Sequence, residues 1–288
     1  MLSIQQLSQE VSIGVDTLRI WERRYGFPRP TRDSRGHRRY PENQREALRT
    51  VKKLQALGCR PSRIFALTPE DRLRLLEQQK APADPDLETE TNLILAGSLT
   101  TLAVRLRKYL EQKGLEELVF ARLLPITRIM GAHWNDGTLS IAREHMVSDL
   151  ISDLLKEQLL QPQPAASNPA ILFLTLSGER HKLGLLMSAA LFHRAGARCL
   201  LIQEEMPASE IPPTAQNNNC AAVALSFSSH YPTRQAKKDL AHLRNALDPK
   251  IKLIAGGQAL KTHFIMPGLI FCTDLRKIPD IYQRELAG

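Results

Sequence analysis

The spacing of apolar residues changes twice along the chain, and each change marks a different kind of structure. In the first 80 residues apolar positions are sparse and helical. Ile4, Leu7 and Val11 share one face behind Ser3, which can cap the helix. Ser12-Ile-Gly14 reads as a turn, and Val15–Tyr25 as a second helix with Asp16 or Thr17 as its cap. Two short helices joined this way form a helix-turn-helix. Ser34-Arg-Gly36 signals a tight turn, whose flanks can form the two strands of a wing.

From Leu93 onward the apolar pattern becomes dense. Leu93, Ile94, Leu95, Leu99, Leu102, Ala103, Leu106 and Leu110 recur at spacings of three and four in a segment ending near Gly114. Similar segments run from Leu115 to about Trp134 and from Ser140 to Leu160, with Pro125 able to kink or split the first of these. A bundle of three to four helices is expected. Past residue 169 the pattern changes to short continuous apolar runs: 170–176, 198–202, 221–226, 252–255 and 269–272. Helical patterns at Leu183–Arg194 and Thr233–Leu247 separate some of them, which implies a parallel sheet covered on both faces.

Proline-bearing breaks at 79–86 and 161–169 read as linkers. The expected fold is therefore multidomain, α and α/β: a winged helix-turn-helix head over 1–79, a helical bundle over 87–160 and a Rossmann-like, flavodoxin-like domain over 168–288.

Charge sharpens this division. The chain carries a formal +9, and residues 1–79 hold 16 Lys+Arg against 9 Asp+Glu, leaving only +2 for the rest. From Arg19 to Arg39 there are eight arginines and no lysine, and a guanidinium offers the planar fork that suits phosphate and guanine. A polyanionic partner such as DNA fits this head; a solvated or membrane-facing basic surface is the plain alternative. No apolar run approaches the roughly 20 residues of a membrane span, and the N-terminus does not read as a signal peptide. Cys59, Cys199, Cys220 and Cys272 are scattered without a C-x-x-C pair, which argues against a zinc site or disulfide framework and fits a cytoplasmic chain.

Thr17-Leu-Arg, Trp21-Glu-Arg-Arg-Tyr-Gly26, Pro30, Arg32 and Gly36-His-Arg-Arg-Tyr40, in this order, resemble the DNA-binding domain of the MerR family. The resemblance covers about residues 1–70, including a helix over 41–57 and a turn over 61–67. It implies that Thr17, Arg19, Arg23, Arg24 and Tyr25 meet the groove or its phosphates, while Arg32, His37, Arg38 and Tyr40 place the wing. Trp21 is left open between packing and DNA contact. The long coiled coil and cysteine loop of metal-sensing members are missing, so the signal is expected from elsewhere.

After the first strand comes Glu179-x-His181-x-x-Gly184, in a loop at the carboxyl edge where open α/β sheets bind ligands. A neutral imidazole is a good cobalt ligand, and a neighbouring carboxylate can fix its tautomer. With Ser226-Phe-Ser228 and Gly256-Gly257, this resembles the cobalamin-binding pattern D-x-H-x-x-G, S-x-L, G-G, with Glu in place of Asp at 179 and Ser in place of Leu at 228. The resemblance implies that His181 ligates cobalt and that Ser226, Ser228, Gly256 and Gly257 line the channel for the displaced nucleotide tail.

Trp134, nine intervening residues and Glu144-His145 are similar to the signature of CarH-type light sensors, which join head, bundle and corrinoid domain in this order. The similarity implies that Trp134, Glu144 and His145 surround the 5′-deoxyadenosyl group of adenosylcobalamin. Asn135 stands where that pattern carries a histidine, which leaves the light response open.

The expectation is a cobalamin-responsive, DNA-binding homo-oligomeric repressor. The alternatives are a regulator whose corrinoid domain now serves only oligomerisation or another ligand, and a corrinoid methyltransferase or mutase. The head is too short for the catalytic barrel of about 250 residues that such an enzyme requires.

Overall fold

The computed structural model describes residues 1–56, 59, 61–78, 84–135, 137–161, 165–260 and 266–287, the side chains of 56, 77, 78 and 135 excepted. The expected helix end at Leu57 and the linker residues 79–83 and 162–164 lie outside this description. The chain divides into two compact units, Met1–Thr89 and Glu90–Gly288.

In the first unit, α1 (Ile4–Val11) opens with a capping box: Ser3 Oγ accepts from Gln6 N–H, and Gln6 accepts from Ser3 N–H. Helix α2 (Val15–Tyr25) follows. Its N-cap is Gly14, without a side-chain cap bond, so the expected capping by Asp16 or Thr17 is corrected: the helix starts two or three residues earlier and both lie in its first turn. Strands β1 (Thr31–Arg32) and β2 (Arg38–Arg39) pair antiparallel as the wing. Helices α3 (Gln44–Ala56), α4 (Pro61–Ala66) and α5 (Pro69–Gln78) complete the head. Its core gathers Leu7, Val11, Leu18, Trp21, Tyr40, Leu48, Val51, Leu54 and Ile64.

The helical section begins with α6 (Pro85–Ala96), in which the division between units falls, and continues with α7 (Leu99–Glu117), whose backbone leaves the helix at Gly114, where the sequence placed the end of the first segment. The apolar periodicity from Leu93 to Leu110 crosses this boundary, but the backbone breaks at Gly97, whose φ is +77°. A wide, π-type turn over Leu118–Leu123 leads into α8 (Leu124–Asn135). Pro125 therefore neither splits nor ends the helix, because the register change to i→i+5 bonding falls beside the proline that lacks an N–H. Helix α9 (Ile141–Leu159) is capped by Ser140 and packs against α7, α8 and α10 (Leu183–Arg194).

The α/β part contains β3 (Ala170–Leu176), α10, β4 (Arg198–Met206), α11 (Ile211–Asn217), β5 (Cys220–Ser226), α12 (Thr233–Ala246), β6 (Lys252–Gly256), β7 (Leu269–Cys272) and α13 (Ile278–Glu285). The five strands are parallel in the order β4-β3-β5-β6-β7. Every residue of β3 is buried, which is why the strand reads as an unbroken apolar run. Counting only this sheet, the order is that of a flavodoxin-like fold, and the connections diverge between β3 and β5. The carboxyl ends of those two strands flank the crevice where such sheets take ligands.

Candidate functional sites at the wing and at the sheet edge

Helix α2 buries Leu18 and Trp21 and exposes Asp16, Arg19, Ile20, Arg23 and Arg24, with Thr17 half-buried. Arg19, Arg23 and Arg24 have no ion-pair partner among the described residues and stand free for an anion. The wing is tied to the same helix through one carboxylate. Glu22 Oε1 accepts from Arg38 Nε at 3.1 Å, and Glu22 Oε2 accepts from the buried Tyr40 hydroxyl at 2.8 Å. Burial and then the Glu22 carboxylate push the Tyr40 hydroxyl up to about 12. Asp33 organises the wing turn by accepting the N–H groups of Arg35 and His37 and pairing with Arg39 at 3.0 Å. Arg32 donates across the turn to Gly36 O. A groove of about 810 Å³ runs between the exposed face of α2, the start of α1 and the second wing strand.

Two expected DNA residues thus have roles inside the head. Tyr40 is fully buried and acts by anchoring the wing. Tyr25 stacks on Phe65 at 4.6 Å, so one ring face is covered. Trp21, left open in sequence, is buried and packs edge-on against Phe65 at 5.2 Å.

At the sheet edge, Glu179 is buried in the loop after β3. Its Oε1 accepts both the backbone N–H of His181, at 2.8 Å, and His181 Nδ1, at 2.9 Å. Its Oε2 accepts Ser228 N–H at 2.7 Å from the loop after β5. Burial alone would raise the carboxyl; the hydrogen bonds from His181 and Ser228 outweigh it, and the group sits below its ordinary value. The bond to Glu179 raises the His181 imidazole against the opposing effect of burial, with a smaller contribution from Glu144. When neutral, an imidazole donating Nδ1–H to this carboxylate keeps its Nε2 lone pair for a metal. The His181 side chain is 53% exposed and open to a ligand.

The glycine pair has a packing reason of its own. A Cβ at Gly256 would stand 2.2 Å from Cys272 O, and one at Gly257, whose φ is +102°, 2.2 Å from Phe227 O. A Cβ at Gly184 would lie 3.2 Å from Ser226 Oγ, bringing α10 close to the end of β5.

From the helical section, Trp134 on α8 is 42% exposed and forms a T-shaped ring pair with His230, 6.2 Å away. His230, in the loop after β5, stacks on His181 at 4.5 Å with 12° between the planes. Glu144 accepts from Ser148 Oγ and pairs with the exposed His145, at 2.7 and 2.6 Å. The fold therefore brings Trp134, Glu144, Glu179, His181 and Ser228 to one edge, whereas His145 is held outward by its own neighbour. His133 is bound to Thr138 at 2.7 Å instead. Sequence reasoning missed His230, whose signal would have been an imidazole two residues beyond Ser228.

The free arginines, the carboxylate-held wing and the groove between them define a DNA-binding regulator of transcription of the winged helix-turn-helix class. Residues 2–70 match the model of the MerR HTH family regulatory protein, and the head is a MerR-type domain. Over 265 residues the chain is 27% identical to the HTH-type transcriptional repressor CarH of Myxococcus xanthus, covering 87% of each protein. It is 29% identical over 264 residues to the HTH-type transcriptional repressor CarA of the same organism, covering 91% of this chain and 88% of that one. The fold is similar, over 69% of this chain and 98% of that chain, to a monomethylamine corrinoid protein of Methanosarcina barkeri, with a TM-score of 0.54 and 12% identity.

Proposed function

We propose that the chain is a transcriptional repressor that senses cobalamin, with the DNA-binding head over 1–79, the bundle over 87–160 and the corrinoid domain over 168–288. The reading is carried by the Glu179–His181 pair at the edge where the β3 and β5 connections diverge. A half-exposed imidazole, held through Nδ1 by a buried carboxylate, fits a metal that arrives in a macrocycle and takes one nitrogen donor from the protein. His181 would hold cobalt through Nε2, and Glu179 would fix the tautomer and aim of that nitrogen. The backbone around Gly184, Ser226, Ser228, Gly256 and Gly257 would border the nucleotide tail. Trp134 would present an apolar wall, with Glu144 as its polar neighbour and His145 acting behind it, through its pairing with Glu144.

The expected ligand is adenosylcobalamin, which when bound supplies a light-cleavable cobalt–carbon bond. Coupling to DNA requires only that the ligand bind one assembly state better than another. The regulator is expected to act as a homo-oligomer on double-stranded DNA in the cytoplasm. No described helix is long and apolar enough to cross a membrane.

The test is gel filtration of the chain incubated in the dark with adenosylcobalamin, with cobalamin absorbance recorded before and after illumination. Co-elution supports the sensor, and a light-dependent change in size extends it to photoreception. Failure of any corrinoid to co-elute contradicts the reading.

A further inference from the structure

A single hydrogen bond does not fix an imidazole. The bond from His181 Nδ1 to Glu179 Oε1 holds one corner of the ring, and the plane can still swing about that axis. The direction of the Nε2 lone pair swings with it. A second restraint on the ring face is therefore needed for a defined donor direction.

His230 supplies one. Its ring lies nearly parallel to His181, 4.5 Å away, a separation at which two flat rings are in contact. The loop that carries it is anchored to the same carboxylate: Ser228 N–H donates to Glu179 Oε2 at 2.7 Å, and His230 N–H donates to Ser228 Oγ at 3.2 Å. Trp134 meets His230 edge-on at 6.2 Å and 81°, so a residue of the helical section bears on the same stack. Glu179 thus organises both imidazoles, one directly and one through Ser228.

We propose that His230 is a positioning residue of the corrinoid site, its ring face fixing the plane of His181 and linking that plane to Trp134. This rests on the cobalamin reading above. His230 acts through His181 and needs no nitrogen on the metal, so an aromatic face without nitrogen should serve in its place.

Full-length wild type, His230→Ala and His230→Phe are compared in two measurements. Without ligand, NMR of the histidine ring protons should show the His181 resonances displaced in His230→Ala, which removes the ring, and largely restored in His230→Phe. With hydroxocobalamin added, the visible spectrum reports imidazole on cobalt. His230→Ala should weaken imidazole ligation about three- to tenfold, and His230→Phe should recover most of it. Wild-type ligation in His230→Ala would overturn the proposal. So would a His230→Phe variant as impaired as His230→Ala, because the ring nitrogen and not the face would then be at work. If wild type takes up no corrinoid, the cobalamin reading itself fails and this proposal falls with it. If wild type binds and all three proteins ligate alike, only the role of His230 fails.

Discussion

The wing is held to α2 by Glu22, and removing that carboxylate should release it. In Glu22→Ala the Tyr40 hydroxyl is left buried without its acceptor, 2.8 Å from where Oε2 stood. A hydrogen bond to a charged group contributes about 1.5–3 kcal/mol, and stranding its buried partner costs a similar amount. The Arg38 contact adds little, since that side chain is 58% exposed and surface pairs contribute about 0–1 kcal/mol. Glu22→Ala should therefore destabilise the head by about 2–3 kcal/mol. Tyr40→Phe should cost only about 1 kcal/mol, because Glu22 keeps Arg38 and partial access to water. The double variant should then cost less than the sum of the singles, with a coupling of about 1–2 kcal/mol. The chain has two tryptophans, so urea unfolding in a Trp134→Phe background lets the fluorescence of Trp21 report on the head alone. Additivity within about 0.5 kcal/mol would refute the argument.

Arg23→Ala should weaken binding to every DNA sequence and flatten the dependence of log affinity on log salt by about 0.9, the loss of one phosphate contact. An unchanged slope would remove Arg23 from the phosphates. Gly257→Ala should destabilise the α/β part by at least about 2 kcal/mol, from overpacking and a positive φ together. A cost below about 0.5 kcal/mol by calorimetry would show that the close approach to Phe227 O is not a constraint. Asp33 is held below its ordinary value, first by the His37 N–H; burial opposes this, and the Arg39 and Arg35 bonds add to the lowering and outweigh it together with His37. Because the folded value is the depressed one, its contribution to wing stability is present above the unfolded pKa and is lost as pH falls through the folded value. NMR titration of the Asp33 carboxyl should give a midpoint below 3.8, and a midpoint at or above that value would contradict the turn geometry.

The α/β part was legible because its physics is local. Fully buried parallel strands must be continuously apolar, and β3, β5 and β7 begin and end within one residue of their apolar runs. Helices α11 and α13, absent from the expected pattern, open with Ile211-Pro-Pro and Ile278-Pro, and proline in the first turn starts a helix without losing an internal bond. The break at Gly97 was hidden because Leu93–Leu106 stays apolar on both sides, and only the positive φ marks it. At the sheet edge, the pairing of Glu179 with His181 follows from their spacing in one loop. His230 does not, since its place depends on two loops and a helix converging through tertiary packing. Tyr40 shows the same limit in the head: the resemblance implied a part in placing the wing, and only its register opposite Leu2 shows that it does so from inside the core.

Control of the head by the sheet-edge site is what remains to be measured. The most direct measurement is the affinity of the full-length chain, in the dark, for a DNA site selected by the chain itself from a random pool, titrated with adenosylcobalamin. Affinity should change as the corrinoid binds, and His181→Ala should abolish the change while leaving the head folded. DNA affinity that is the same with and without bound cobalamin would contradict such control.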